Sequence, residues 1–249
     1  MAWGGAQVRT EATGYGAAFF AQEMLRAIGT DLDGKACVVS GAGNVAVFAI
    51  EKIQQLGGRV VACSDTDGFV HDPDGIDVGL LKEVKLVERA RLREYAERRS
   101  RSVVFVAGGN IWDVRCDVAV PSATQNELTA LDAAHLVANG CIAVVEGANM
   151  PTTPDAVRVF SDAGVAFGPG KAANAGGVAT SALEMQQNAS RNSWTFEHTE
   201  QRLATIMEAI HRRCLETAEE YAAPGNYVAG ANIAGFLRVG QAMEALGVI

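Results

Sequence analysis

Cysteine, histidine, long apolar runs and positive charge are all scarce in this chain, and each shortage removes a class of function. The five cysteines (Cys37, Cys63, Cys116, Cys141 and Cys214) are widely spaced, odd in number and never fall as Cys-x-x-Cys. That spacing supports neither a disulfide framework nor a zinc ribbon, so they read as reduced, mostly buried thiols of a cytoplasmic protein. The four histidines (His71, His135, His198 and His211) do not cluster, and no metal is expected. Apolar runs are short and interrupted, so nothing is built to span a bilayer. No basic segment followed by an apolar one opens the chain, and secretion is not expected. With 21 Lys and Arg against 29 Asp and Glu, the net charge of −8 argues against nucleic acid or an anionic membrane as partner. What remains is 249 residues, 49% hydrophobic and 20% charged, an ordinary globular composition with room for a sizeable core.

The most informative stretch lies at Ala36–Ala46, Ala-Cys-Val-Val-Ser-Gly-Ala-Gly-Asn-Val-Ala. A β-branched run stops at a glycine-rich turn. Helical spacing then follows in Val45, Phe48, Ala49, Lys52, Ile53 and Leu56, and a second apolar run, Arg59 to Cys63, ends at Ser64-Asp65. Strand, Gly-x-Gly-x-x-Ala turn, helix, strand and acid come in the order a dinucleotide half-site requires. Gly41 permits the tight turn, Gly43 lets the backbone approach a pyrophosphate, and Ala46 keeps the helix close to the strand. The helix start, at Asn44 and Val45, offers free N–H groups and a partial positive charge to that anion. Asp65 follows Gly41 by 24 residues, the distance expected of a group that reads the adenosine ribose.

Along the rest of the chain strands alternate with helices. A helix is expected over 12–28 and a charged surface helix over 77–100. Strands are expected at 103–107, 118–120, 142–145 and 165–167, with helices at 131–139 and 155–163. From 176 onward strands cease, and helices at about 176–190, 197–222 and 231–246 close the chain. The fold class is therefore α/β, a doubly wound, mainly parallel sheet of Rossmann type with a helical C-terminal extension. A single NAD(P)-binding domain over 1–249 is expected, made of an opening helix to about residue 30, a Rossmann core over 31–170 and C-terminal helices over 171–249. Ligands of such sheets sit at the carboxyl ends of the strands. Polar clusters fall there at Gly41–Asn44, Ser64–Thr66, Ser122–Asn126, Glu146–Asn149 and Gly170–Asn174. Glu146 reads as a helix-start or N-cap residue rather than a catalytic acid. Lys171 does not complete a phosphate loop, because Val165 stands where glycine is needed and Ala172 where Ser or Thr is needed.

The segments Arg9-Thr-Glu-Ala-Thr13-Gly-Tyr-Gly, Ser122-Ala-Thr-Gln-Asn-Glu-Leu128, Glu146-Gly-Ala-Asn-Met-Pro-Thr-Thr153 and Pro169-Gly-Lys-Ala-Ala-Asn-Ala-Gly-Gly-Val-Ala-Thr-Ser181 closely resemble glutamate dehydrogenase of the hexameric bacterial type. The likeness runs from Ala2-Trp3-Gly4-Gly5 to the closing Gly230-Ala-Asn-Ile-Ala-Gly-Phe236 and Ala245-Leu-Gly-Val-Ile249. It begins partway through the family's pattern, so the chain is expected to be the nucleotide-binding domain without the family's substrate domain.

The resemblance implies that Gly41, Gly43, Asn44 and Val45 hold the pyrophosphate, and that Asp65 and Thr66 hold the adenosine ribose. It places Thr13, Ala123, Thr124, Gln125, Asn149 and Asn174 along the nicotinamide ribose and carboxamide. Val178 and Ser181 would reach across a cleft to the amino-acid substrate, with Arg9 at the cleft edge. No catalytic residue is expected in this chain, since the family's lysines and acid/base aspartate lie in the first domain. The whole enzyme would interconvert L-glutamate with 2-oxoglutarate and ammonia, as a homohexamer, whereas this domain alone would be a monomer that binds cofactor without turnover. Leucine or phenylalanine dehydrogenase, and a non-catalytic dinucleotide-binding regulator, are the alternatives. For the cofactor, Asp65 by itself argues for NAD. Thr66, the lysine that NADP-using relatives carry at the position of Lys85, and Arg89 one helical turn beyond it favour NADP, with NAD possible.

Overall fold

The computed structural model describes residues 4–99 and 102–247. The first residues of the opening Ala-Trp-Gly-Gly segment, the last residue of the helix expected over 77–100 and the final two residues of the closing segment lie outside the described residues. In chain order the elements are α1 (Ala12–Ala27), β1 (Ala36–Val39), α2 (Asn44–Gln55), β2 (Arg59–Asp65), β3 (Gly68–His71), α3 (Val78–Lys82), α4 (Leu92–Arg99), β4 (Val104–Ala107), β5 (Val118–Val120), α5 (Ala130–Ala138), β6 (Ala143–Val145), α6 (Pro154–Asp162), β7 (Ala166–Gly168), α7 (Gly170–Ala173), α8 (Gly176–Ala189), α9 (Phe196–Glu220) and α10 (Tyr227–Leu246).

The seven strands form one sheet in the order β4-β3-β2-β1-β5-β6-β7. Its central strands are parallel, with Val39 of β1 aligned with Cys63 of β2 on one side and Val120 of β5 on the other. Adjacent residues of a strand point to opposite faces. Val39 therefore joins an apolar layer with Ile50, Ile53, Leu81, Leu92 and Tyr95. Val38 joins the opposite layer with Ala119, Leu136, Val144 and Phe160. A sheet covered on both faces requires the unbroken apolar strands that the sequence carries. Helix α1 lies against α2 so closely that a Cβ on Gly14 would stand 2.5 Å from the Ala49 nitrogen and the Val45 carbonyl oxygen.

The structure differs from the expected layout in three places. Gly68–His71 is a strand where no element is expected. It pairs antiparallel with β2 and with β4, so Thr66 and Asp67 form the two-residue tip of a hairpin. The run expected as one surface helix over 77–100 is instead α3, a π-helical turn at Glu83–Val87, a break, and α4. The break occurs at Arg89, whose φ of 56° lies in the left-handed region and cannot continue a right-handed helix. This region is also more than surface, for Leu81, Val84, Leu92 and Tyr95 are all fully buried. At the C-terminus α10 starts earlier than the periodicity indicated, because the Asn226 side chain accepts the Ala229 N–H as an N-cap.

Candidate functional site

Strand order reverses between β1 and β5, and the carboxyl ends of these two neighbours open the crevice where a doubly wound sheet receives its ligand. Gly41 stands in that crevice with φ 86°, and its N–H donates to Ser64 Oγ at 2.9 Å. A Cβ here would lie 3.0 Å from the Ser122 carbonyl oxygen and 3.1 Å from Ala123 Cα, so both conformation and close approach demand glycine. Gly43 follows as the N-cap of α2 with no side chain capping the helix, and nothing lies within 4 Å of where its Cβ would be. Gly43 and Asn44 are exposed and Val45 is half-buried. The helix start thus presents unpaired N–H groups and the positive end of its dipole to open space, a cradle suited to a pyrophosphate.

On the β2 side the carboxylate of Asp65 is turned inward and only 7% exposed. Its Oδ2 accepts the Leu92 N–H at 2.9 Å and the Lys85 ammonium at 3.3 Å, and its Oδ1 accepts the Asp67 N–H at 3.0 Å. Lys85 is likewise occupied, donating to the Ala90 carbonyl at 2.7 Å. Asp65 and Lys85 are brought together, but to satisfy each other at the start of α4. Arg89 does not share a helical face with Lys85, because the chain leaves the helix between them. The exposed cation at the hairpin tip is Arg91, which donates to Thr66 Oγ1 and lies 3.4 Å from the Asp67 carboxylate. Sequence reasoning passed over Arg91; its place beside Thr66 comes from the fold of the 83–91 segment against the hairpin.

On the other side of β1 the loops after β5, β6 and β7 are tied to one another. Ala123, Thr124 and Gln125 are exposed in a loop held by Glu127. Glu127 Oε1 accepts the Ser40 hydroxyl at 2.9 Å, the Ala123 N–H at 2.9 Å and the Thr124 N–H at 3.3 Å. Burial pushes its carboxyl up from the ordinary range, against the pull of these donors. The Asn126 N–H then reaches the Met150 carbonyl at 3.0 Å, joining this loop to the one that carries Asn149. Asn174 follows α7 and donates from Nδ2 to the Ala148 carbonyl at 3.0 Å. Glu146, buried at the end of β6, accepts the Gly170 N–H at 2.6 Å and the Thr152 N–H at 3.2 Å, one on each oxygen. No helix starts at Glu146 itself, contrary to the helix-start reading; it supplies an acceptor to the first N–H of α7 from 24 residues away, while Pro169 is the α7 N-cap. Glu127 follows directly on the polar Ser-Ala-Thr-Gln-Asn run, a position that signalled a loop but not the group that holds it.

The remaining expected positions lie on α1, on α8 and in the segment before α1. Thr13 on α1 is half-buried, and a Cβ on Gly177 at the start of α8 would come within 2.4 Å of its Oγ1. Arg9 is exposed, and Val178 is 72% exposed. The half-buried Ser181 spends its hydroxyl on the Gly177 carbonyl at 3.2 Å, one turn back in its own helix. Among the described residues no group of three or more His, Cys, Asp or Glu side chains could hold a metal ion, and no helix is long and apolar enough to cross a membrane.

Comparison with known proteins fits this geometry. The chain is 54% identical over 250 residues to a glutamate dehydrogenase of Bacteroides thetaiotaomicron, covering 99% of this chain and 56% of that protein. To an NADP-specific glutamate dehydrogenase of Helicobacter pylori it is 50% identical over 254 residues, covering 100% of this chain and 57% of the relative. The chain therefore spans little more than half the length of the curated relatives it matches. Among solved structures, Plasmodium falciparum glutamate dehydrogenase 2 superposes with a TM-score of 0.96 at 40% identity, covering 100% of this chain and 55% of that one. The family model for Glutamate/Leucine/Phenylalanine/Valine dehydrogenase matches residues 4–247, and the chain belongs to that family.

Proposed function

We propose that this chain is the dinucleotide-holding part of a glutamate dehydrogenase, with residues 1–249 acting as one unit, and that it prefers NADP while still admitting NAD. The arrangement at Asp65 carries the cofactor preference. A carboxylate free to face the ribose would pair with a 2′-hydroxyl and repel a 2′-phosphate. Here that carboxylate is neutralised by Lys85 and consumed by the Leu92 N–H, while the Arg91 guanidinium stands exposed beside the Thr66 hydroxyl. A planar cation next to a hydroxyl suits a phosphate dianion.

Bound along the carboxyl edge, the dinucleotide would supply hydride transfer at its nicotinamide ring. The residues of this chain bind and orient it. Gly41, Gly43, Asn44 and Val45 form the pyrophosphate cradle, with Asp65, Thr66, Lys85 and Arg91 at the adenosine end. Thr13, Ala123, Thr124, Gln125, Asn149 and Asn174 form a neutral hydrogen-bonding lane for the nicotinamide ribose and carboxamide. That lane holds hydroxyls and amides and no group suited to moving a proton at neutral pH. Acid/base and carboxylate-binding groups for glutamate, 2-oxoglutarate and ammonia then come from outside the chain, with Val178, Ser181 and Arg9 facing that cleft. The parent is a homohexamer, and the isolated chain a monomer.

Calorimetric titration of the chain with NADP and NAD tests this reading. NADP should bind more tightly, and Arg91→Ala should weaken NADP about tenfold or more while leaving NAD unchanged. The same sample should show no glutamate-dependent reduction of either cofactor. Equal affinity for both, untouched by Arg91→Ala, would remove the NADP reading, and turnover by the pure chain would remove the division of labour.

A further inference from the structure

Beyond the cofactor cradle, one buried side chain is bonded to both segments that carry the expected asparagines. Asn149 lies in the loop after β6, and Asn174 immediately follows α7 after β7. Glu146 sits between them, 6% exposed, with one carboxylate oxygen on the Thr152 N–H of the first segment and the other on the Gly170 N–H of the second. The Glu146 N–H donates to the Gly168 carbonyl at 3.0 Å, which anchors the residue to β7. Asn174 Nδ2 closes the ring by donating to Ala148 O.

We infer that Glu146 is a positioning residue: as a carboxylate it ties the Asn149 loop to the α7–Asn174 segment and so sets the spacing of the two asparagines. This inference rests on the reading of the site as a dinucleotide edge. The chemistry follows from donor counting. Both partners are backbone N–H groups, so both oxygens have to accept. Protonation turns one of the two oxygens into a hydroxyl, a far weaker acceptor, and loosens the segment bonded to it. Lys171, on α7, is the charged side chain whose field acts on the carboxylate, and its ammonium is directed at Asn232 Oδ1. The other contacts made to it from the 148–153 loop, β7 and α7 are those of Thr152 and backbone amides.

Binding and folding therefore respond to acid with opposite signs. Burial, the largest influence, raises the Glu146 carboxyl above its ordinary value, and the Gly170 and Thr152 donors and Lys171 pull it back only in part. An acid raised in the fold favours folding below its unfolded value and loses that contribution as pH rises through its folded value. The clamp needs the ionised form, so dinucleotide affinity falls as pH drops through the same range.

The experiment is a titration of the chain with NADH from pH 8 to pH 5, with Glu146→Gln alongside and the melting temperature measured at each pH. NADH is the probe because a 2′-phosphate would itself titrate near pH 6. Wild type should lose affinity on acidification. Glu146→Gln should start about tenfold weaker at pH 8, the size of one charge-assisted hydrogen bond, with a flatter profile and a melting temperature equal to or above wild type. Wild-type affinity and profile in Glu146→Gln, or parallel loss of affinity and melting temperature, would overturn the inference. If wild type binds no dinucleotide, the reading of the site falls by itself. The clamp is then decided by amide exchange, since Gly170 and Thr152 should exchange at least tenfold faster in Glu146→Gln, and unchanged rates would overturn it.

Discussion

The two halves of the carboxyl edge, on either side of β1, are built from different materials. Toward β2 the site is made of charged side chains: Asp65 against Lys85, and Arg91 beside Thr66 and Asp67. Toward β5, β6 and β7 it is made of backbone loops carrying neutral amides and hydroxyls, with the half-buried Glu127 and the buried Glu146 beneath them as acceptors. Charge reaches the surface on the first side, at Arg91 and Asp67, and is hidden on the second. A phosphate-bearing adenosine end is discriminated by field, which acts through solvent and tolerates some motion. A carboxamide is discriminated by the direction of its hydrogen bonds, which requires loops held to fractions of an ångström. Under the proposed function the acids beneath the loops serve geometry, and the cation at the hairpin tip serves charge.

That contrast breaks most readily at Asp65. Asp65→Ala removes the acceptor of the Leu92 N–H and strands Lys85, so a loss of about 2–3 kcal/mol in urea unfolding is expected. The double variant Asp65→Ala with Lys85→Met should recover part of it, because the stranded charge is gone. Recovery of nothing would mean that the pair matters only through the Leu92 N–H.

Glu127→Gln probes the other half and should act in a different currency. Gln keeps one acceptor oxygen for the Ser40, Ala123 and Thr124 donors but drops the buried charge. Stability should hold or rise by up to about 1 kcal/mol, while affinity falls roughly threefold and equally for NADP and NAD. The raised Glu127 carboxyl makes wild type gain relative to Glu127→Gln on acidification, as its folding contribution is present at low pH and lost as pH rises through the folded value. A loss confined to NADP would erase the distinction between the halves.

The smallest effect belongs to Ser181. Its hydroxyl already has a partner in Gly177, so Ser181→Ala in this chain should leave cofactor affinity within twofold and stability within about 0.5 kcal/mol. In the whole enzyme, where the hydroxyl would swing to a substrate carboxylate, the expected outcome is a raised KM for glutamate with kcat little changed. An unaltered KM there would leave Ser181 as a helix residue bonded to its own backbone.

Much of the scaffold is legible in the sequence. The β1–turn–α2–β2 unit stands where its apolar runs and glycines placed it, because strand and helix periodicities are written in neighbouring residues. The three long C-terminal helices follow for the same reason. Their ends differ where a side chain such as Asn226 intervenes as a cap. The 77–100 stretch was not readable to that depth. Its composition is uniformly helical, and nothing local announces that Arg89 takes a left-handed conformation or that Leu81, Leu92 and Tyr95 are drawn under the sheet.

By itself the sequence determined the doubly wound α/β plan, the glycine-rich turn at the crevice and the family, since each rests on short, ordered motifs. Only the tertiary structure decided which way the charges face. Asp65 has the spacing of a ribose reader, yet its partners Lys85 and Leu92 lie 20 and 27 residues away and meet it only when the 83–92 segment folds back onto the hairpin. Glu146 likewise finds Gly170 24 residues on. A backbone torsion is governed by adjacent residues and can be read from them, whereas the partner of a charge is whichever donor the completed fold brings within hydrogen-bonding reach.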